Sequence, residues 1–135
     1  MLSHVYIGVA DFARALTFYS GVMDKLGFVL KFAEPEIPWA GWMQAGKPRP
    51  LFLIGRPSNG QAASPGNGQM VALLAPDRDA VNRCYFWALD NGATDEGAPA
   101  LRPNYHPHYY GAYFRDPDGN KLCVCFHDPV DDPSP

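Results

Sequence analysis

Two stretches of the chain decide the fold: HVYIGVAD at residues 4–11 and MVALLAPD at residues 70–77. In the first stretch, apolar Val5, Ile7 and Val9 alternate with the other side chains, which is the period of a β-strand. Each stretch ends in an Asp that can cap a following helix. When the two stretches are laid over each other, Asp77 matches Asp11, and further on Tyr85 matches Tyr19. The chain therefore contains an internal repeat that begins with a strand and a capped helix.

The same order of predicted elements continues through both halves. Helical spacing runs to Leu26 and stops at Gly27, and a second helix follows Asp77 up to Asn91-Gly92. Strand patterns follow each helix, at 28–32, 39–44 and 51–54 in the first half and at 94–98, 109–115 and 121–126 in the second. Each half is thus a βαβββ module, which cannot bury both faces of its sheet alone.

We predict a single α+β domain over residues 1–135, in which the paired modules curl around a shared groove. The modules cover about 1–55 and 68–127. The segment 56–67 has turn chemistry and is predicted to be a linker, and 128–135 a frayed tail.

Composition excludes several classes of protein. The 135 residues are 47% hydrophobic and carry a net charge of −3, so neither a nucleic-acid footprint nor a basic membrane-binding patch is present. We find no run of apolar residues long enough to span a membrane and no secretory signal pattern at the start. The three cysteines have no disulfide-framework spacing, which predicts a reduced, cytoplasmic protein.

Longer motifs in this order resemble the vicinal oxygen chelate superfamily of glyoxalases, bleomycin-resistance proteins, fosfomycin-resistance enzymes and extradiol dioxygenases. They are HVYIGV at 4–9, LFLIGRP at 51–57, PGNG at 65–68, GATDEGAP at 92–99 and YYGAYFRDPDGNK at 109–121. The resemblance covers nearly the whole chain. It implies a glyoxalase-like half-barrel groove, a homodimer and, for an enzyme, lyase or isomerase chemistry.

The resemblance also implies a divalent metal on the groove floor, but this chain departs from the ligand pattern. His4 stands where the first ligand is expected, Met70 replaces the usual His and Cys123 replaces the usual Glu. The strand at 51–54 is wholly apolar. A single imidazole cannot hold Zn²⁺, Mn²⁺, Fe²⁺ or Ni²⁺, so we predict no cofactor. The alternative is a soft ion, Cu(I) or Zn²⁺, held by His4, Met70 and Cys123 together.

Other residues offer catalytic candidates. Cys123 is either an inert buried thiol or a nucleophile whose pKa His4 lowers. His106 and His108, two residues apart, present their imidazoles together for proton transfer or ligand contact, or lie on the surface.

A further set of residues is predicted to bind a ligand. Their shared feature is a place on or beside strands that face the groove, and they are Tyr6, Trp39, Trp42, Phe52, Met70 and Arg115. The aromatic members line the groove in one strand register and pack in the core in the other. Arg115 either anchors an anionic group or pairs with Asp116 or Asp118.

The best interpretation is metal-free binding of a small aromatic or apolar molecule in the groove. The alternative is a glyoxalase-type lyase or isomerase that uses a non-standard site or a soft metal.

Overall fold

A computed structural model describes residues 1–130, and its elements run βαβββ twice, as predicted. The first module consists of β1 (His4–Gly8), α1 (Phe12–Leu26), β2 (Phe28–Glu34), β3 (Trp39–Gln44) and β4 (Leu51–Gly55). The second consists of β5 (Val71–Leu74), α2 (Arg78–Asp90), β6 (Thr94–Leu101), β7 (Tyr110–Arg115) and β8 (Lys121–Phe126). The α+β fold of two such modules is confirmed.

Each module forms one four-stranded mixed sheet with the same topology. Sheet 1 has the strand order β1-β4-β3-β2, and sheet 2 has the order β5-β8-β7-β6. β1 runs parallel to β4 and β5 runs parallel to β8, while the other neighbours are antiparallel. The first strand of each module is therefore an edge strand with a hydrogen-bonding partner on one side only.

Both helices begin at the predicted caps. The Asp11 carboxylate accepts a hydrogen bond from the Arg14 backbone N–H at 3.1 Å, and the Asp77 carboxylate accepts one from Ala80 at 2.7 Å. Such caps satisfy backbone donors that a helix start leaves open, and each contributes about 1 kcal/mol. α1 ends at Gly27, whose φ of 81° is the left-handed conformation that glycine adopts without strain.

The two modules share one core. α1 packs against α2, and each helix covers one face of its own sheet. The largest fully buried side chains include Phe18, Tyr19 and Phe114. The Tyr19 hydroxyl of module one donates to the Asp116 carboxylate in the β7–β8 turn of module two at 2.5 Å. This buried contact ties the modules together.

The structure differs from the sequence-based prediction at the segment that starts at residue 99, which was expected to be a loop. β6 instead extends through Pro99 to Leu101. Because β6 is an edge strand, a proline that donates no hydrogen bond is tolerated there. No helix or strand is described between β4 and β5, and residues 131–135 of the predicted tail lie outside the described residues.

Candidate functional site

Strand alternation decides which predicted binding residues reach the open face of sheet 1. On β1, Val5 and Ile7 pack against the core, so His4 and Tyr6 occupy the opposite face. On β3, Ala40 belongs to the core, which leaves Trp39 on the open face. The sheet thus has one face against α1 and one that is open.

Trp42 and Phe52 do not line the groove, and the prediction that they do is wrong. Both are buried, and their ring centroids lie 6.3 Å and 5.1 Å from that of Tyr19 on α1. Trp39 remains on the open face, where its Nε1 donates to Glu34 and its ring packs on Phe32. Two of the four aromatic candidates are therefore core residues.

Tyr6 and Met70 come together in a cavity of about 490 Å³ between the two modules, which we call the junction cavity. It is lined by Val5, Tyr6, Ile7, Gly8, Ser64, Pro65, Gly68, Gln69, Met70, Val71 and Asn120. Ligand sites for small molecules commonly measure about 300–1,000 Å³. The cavity therefore has the size of a small-molecule site.

The lining of the junction cavity is mixed, with more polar than apolar surface. β1 and β5 are both edge strands, so backbone groups on their outer sides lack a strand partner. The Asn120 side-chain amide donates to the Gly8 carbonyl at 3.2 Å and thus connects the modules at the cavity. The Tyr6 hydroxyl donates to the Arg56 carbonyl at 2.6 Å, and burial raises the pKa of Tyr6. A neutral ligand with one or two polar groups fits this lining.

Several lining residues were not predicted from the sequence. Ser64, Pro65, Gly68 and Gln69 come from the linker or its end, whose turn-like composition gave no sign of a ligand contact. Asn120 was singled out only as part of the motif at 109–121. No sequence pattern shows that a loop folds back over an edge strand.

The three residues expected to hold a metal ion have other neighbours. The His4 Nδ1 lies 2.9 Å from the Ser3 hydroxyl, Met70 lines the junction cavity, and the Cys123 sulfur lies 3.3 Å from the Tyr109 hydroxyl. His4 is therefore not the partner of Cys123 that the nucleophile hypothesis required. Within residues 1–130, no group of three or more His, Cys, Asp or Glu side chains is arranged to hold a metal ion.

Cys123 instead belongs to a thiol cluster on the face of sheet 2 that points away from α2, made of Cys123, Cys125, Tyr109, Tyr113 and His127. The Tyr109 hydroxyl lies 3.3 Å from the Cys123 sulfur and 3.0 Å from the Tyr113 hydroxyl. The His127 Nε2 lies 3.5 Å from the Cys125 sulfur. Both thiols are buried, whereas their strand neighbours Leu122 and Val124 face the core.

The backbone fixes the direction of the hydrogen bonds that reach this cluster. The His108 N–H donates to His106 Nδ1, so the proton of a neutral His106 is on Nε2 and points to His127 Nδ1 at 2.9 Å. His127 then carries its proton on Nε2 and donates to Cys125. The Cys125 thiol donates to the Leu73 carbonyl at 3.8 Å. The Tyr109 hydroxyl lies within hydrogen-bonding distance of the Cys123 sulfur.

The surroundings of the thiols set their pKa values. The neighbouring Cys125 side chain, with smaller contributions from the Tyr109 and Tyr113 hydroxyls and the Arg102 charge, lowers the pKa of Cys123 to about 7 despite burial. The bond to Cys123 and burial raise the pKa of Cys125. Burial raises the pKa of the core thiol Cys84 to about 12. Cys123 is therefore the thiol of this chain that ionises first.

The remaining candidates have partners other than those predicted. The His106 ring stacks on His127 at 5.2 Å, while the rings of His106 and His108 lie 6.5 Å apart, so the imidazoles that contact each other most closely are those of His106 and His127. Arg115 pairs with Glu96 and donates to a backbone carbonyl, and it does not pair with Asp116 or Asp118. Both Asp residues contact α1 instead, Asp116 through Tyr19 and Asp118 through Arg14.

Comparison with known proteins agrees with this architecture. The family model for the Glyoxalase/Bleomycin resistance protein/Dioxygenase superfamily matches residues 1–124. A glyoxalase/bleomycin resistance protein from Albidiferax ferrireducens is 31% identical, with a TM-score of 0.83 over 93% of this chain and 98% of that chain. No curated protein matches the chain significantly.

More distant solved structures support the fold alone. A glyoxalase/bleomycin resistance protein/dioxygenase family enzyme from Burkholderia phytofirmans is 20% identical, with a TM-score of 0.68 over 93% of this chain and 98% of that chain. A glyoxalase-related enzyme from Fulvimarina pelagi is 18% identical, with a TM-score of 0.67 over 93% and 87%. In residues 1–130, no helix is long and apolar enough to cross a membrane.

Proposed function

The chain belongs to the Glyoxalase/Bleomycin resistance protein/Dioxygenase superfamily, and within it we propose that this protein binds a small aromatic or apolar molecule without a metal ion. The observation that carries the proposal is the junction cavity of about 490 Å³ between Tyr6 and Met70. Tyr6 and Met70 in its lining offer aromatic and apolar contacts to a flat ligand, and its polar lining, with the edge-strand backbone groups, orients that ligand.

The chemistry of the donors supports binding without a metal. A thioether at position 70 and a thiol at position 123 replace the imidazole and carboxylate that a divalent ion of this family takes. Met70 is 44% exposed and borders the cavity, where its flexible, polarizable side chain adapts to an apolar ligand. Position 70, where the family resemblance implies a metal ligand, therefore supplies apolar contact area to a molecule in the junction cavity.

A neutral fluorophore tests the proposal. We expect N-phenyl-1-naphthylamine to bind saturably, with enhanced emission, and to lose about tenfold or more in affinity in Met70→Trp, which fills the cavity. Tyr6→Phe, which keeps the ring, should bind nearly as the parent does, whereas Tyr6→Ala should bind weakly.

Phe86→Ala is the matched control, because Phe86 is a 58% exposed aromatic side chain on α2 outside the cavity. Unchanged affinity in both Met70→Trp and Tyr6→Ala would contradict the proposal. Circular dichroism of each variant separates loss of binding from loss of the fold.

We further expect a homodimer in the cytoplasm. Leu30 and Leu74 are 51% and 62% exposed on the two sheets, and burying such side chains against a second copy is favourable. All three cysteines are free, as expected in a reducing compartment. A monomeric mass by light scattering at micromolar concentration would contradict the dimer.

One observation favours a lyase or isomerase as the second candidate function. The lowered pKa of Cys123 suits its thiolate to act as a general base, and the Tyr109 hydroxyl beside it suits the role of the general acid. Such an enzyme would accelerate the exchange of the acidic C–H of acetoin in D₂O, and Cys123→Ser would abolish that acceleration. Exchange no faster than in buffer would leave binding as the function.

A further inference from the structure

A second cavity of about 340 Å³ opens on sheet 2, and we call it the anion pocket. Its lining is mostly polar and consists of Glu96, Arg102, Asn104, Tyr105, Tyr113 and Lys121. It shares no lining residue with the junction cavity. The proposed binding of an apolar molecule therefore leaves this pocket without a role.

Two cations meet on one aromatic ring in this pocket. The Arg102 guanidinium lies 5.4 Å and the Lys121 ammonium 5.8 Å from the centre of the Tyr113 ring. Neither forms a salt bridge with a carboxylate in the described part of the chain. The carboxylate at the pocket, Glu96, is neutralised by Arg115. A local excess of positive charge thus stands in a chain whose net charge is −3.

Arg102 also has a hydrogen-bonding capacity that the protein does not satisfy. Its Nη2 donates to the Ala98 carbonyl at 2.7 Å, which fixes the guanidinium beside the pocket. Its buried Nε has no hydrogen-bond partner. Buried donors are nearly always paired in native proteins, so an unpaired one calls for a missing acceptor. An oxyanion in the pocket offers acceptors to this guanidinium and offsets the repulsion between the two cations.

A comparison with Arg78 shows which features are particular to Arg102. The Arg78 guanidinium also lies over a tyrosine ring, that of Tyr110 at 5.2 Å, and its Nε is likewise buried and unpaired. Arg78, however, lines neither of the two cavities described here. The second cation and the open volume therefore set Arg102 apart.

We propose that the anion pocket binds a carboxylate or phosphate group of a small molecule, held by Arg102 and Lys121. Asn104 and Tyr105 line the same pocket, and their side chains carry neutral donors. The planar guanidinium takes two oxygens of the anion, and the ammonium adds a point charge. This inference does not rest on the junction cavity, since the two sites share no residue.

Titration with inorganic phosphate and with succinate, followed by ¹⁵N–¹H NMR, tests the proposal and distinguishes the two anion classes. Sodium chloride at equal ionic strength is the reference, and about pH 6 keeps Cys123 protonated. We expect saturable shifts at residues 102, 104, 105, 113 and 121 for at least one of the two anions. Lys121→Gln and Arg102→Gln should each weaken that binding by about tenfold or more.

The matched controls are Lys25→Gln and Arg78→Gln. Lys25 also lies over an aromatic ring, that of Trp87 at 5.7 Å, and neither residue lines the pocket. Both controls should bind as the parent does. The proposal is overturned if neither anion causes saturable shifts, or if Lys121→Gln binds as tightly as Lys25→Gln. Lys121→Gln keeps the test valid if Arg102→Gln fails to fold.

Discussion

The hydrogen bond between Tyr19 and Asp116 is expected to stabilise the docking of the two modules. Tyr19 is fully buried, Asp116 is 2% exposed, and the two atoms lie 2.5 Å apart. In Tyr19→Phe, the carboxylate keeps the Asn120 amide and two backbone N–H donors but loses its hydroxyl donor. A buried hydrogen bond to a charged group contributes about 1.5–3 kcal/mol, and we expect the free energy of unfolding to fall by that amount.

The internal repeat supplies a matched control. Tyr85 occupies the equivalent place on α2 and donates to Asp95 at 2.7 Å, but Asp95 is exposed. Because water can replace the lost hydroxyl there, Tyr85→Phe should lower the free energy of unfolding by less than Tyr19→Phe does. Urea unfolding monitored by tryptophan fluorescence gives both values from the midpoint and the slope. Equal losses in the two variants would refute the role assigned to the buried pair.

Two further predictions concern the helix interface and the thiol cluster. A Cβ at Gly21 would lie 2.1 Å from the Trp87 ring, so Gly21→Ala should lower the unfolding free energy by about 1–2 kcal/mol although alanine favours helix. In a double variant that also carries Trp87→Leu, the clash should be absent, so Gly21→Ala should cost less unfolding free energy than it does in the parent. An equal cost in both backgrounds would contradict the clash. Absorbance at 240 nm should show a thiolate forming near pH 7 that Cys123→Ser removes and Cys84→Ser retains. Because the folded pKa is lowered, stability should rise from about pH 7 towards the usual thiol pKa of 9.0, and a flat profile in the parent would contradict this.

Local patterns were sufficient to predict most of the fold. The two capping Asp residues, the stop at Gly27 and the strand periods gave the element order, because these signals act within a few residues. The repeat then gave the pairing of modules. β6 was predicted too short because a proline ends a strand by propensity, whereas its place at the sheet edge, a tertiary property, permits it.

The site was less predictable because it depends on register and on distant contacts. A shift of one residue turns a strand side chain from the groove to the core, and Trp42 and Phe52 lie on the core side. The partners of Cys123 come from a loop whose path the sequence does not specify, which is why Tyr109 was missed and His4 was predicted instead. Tyr6 and Met70, at the start of the repeated strands, do line the junction cavity.

The most direct test of the central claim is an NMR map of the neutral fluorophore N-phenyl-1-naphthylamine on chelator-treated protein. Metal-free binding in the junction cavity predicts saturable shifts concentrated at residues 5–8, 64–71 and 120, unchanged by the chelator. Shifts that are confined to sheet 2, or that appear only after a divalent ion is added, would contradict it.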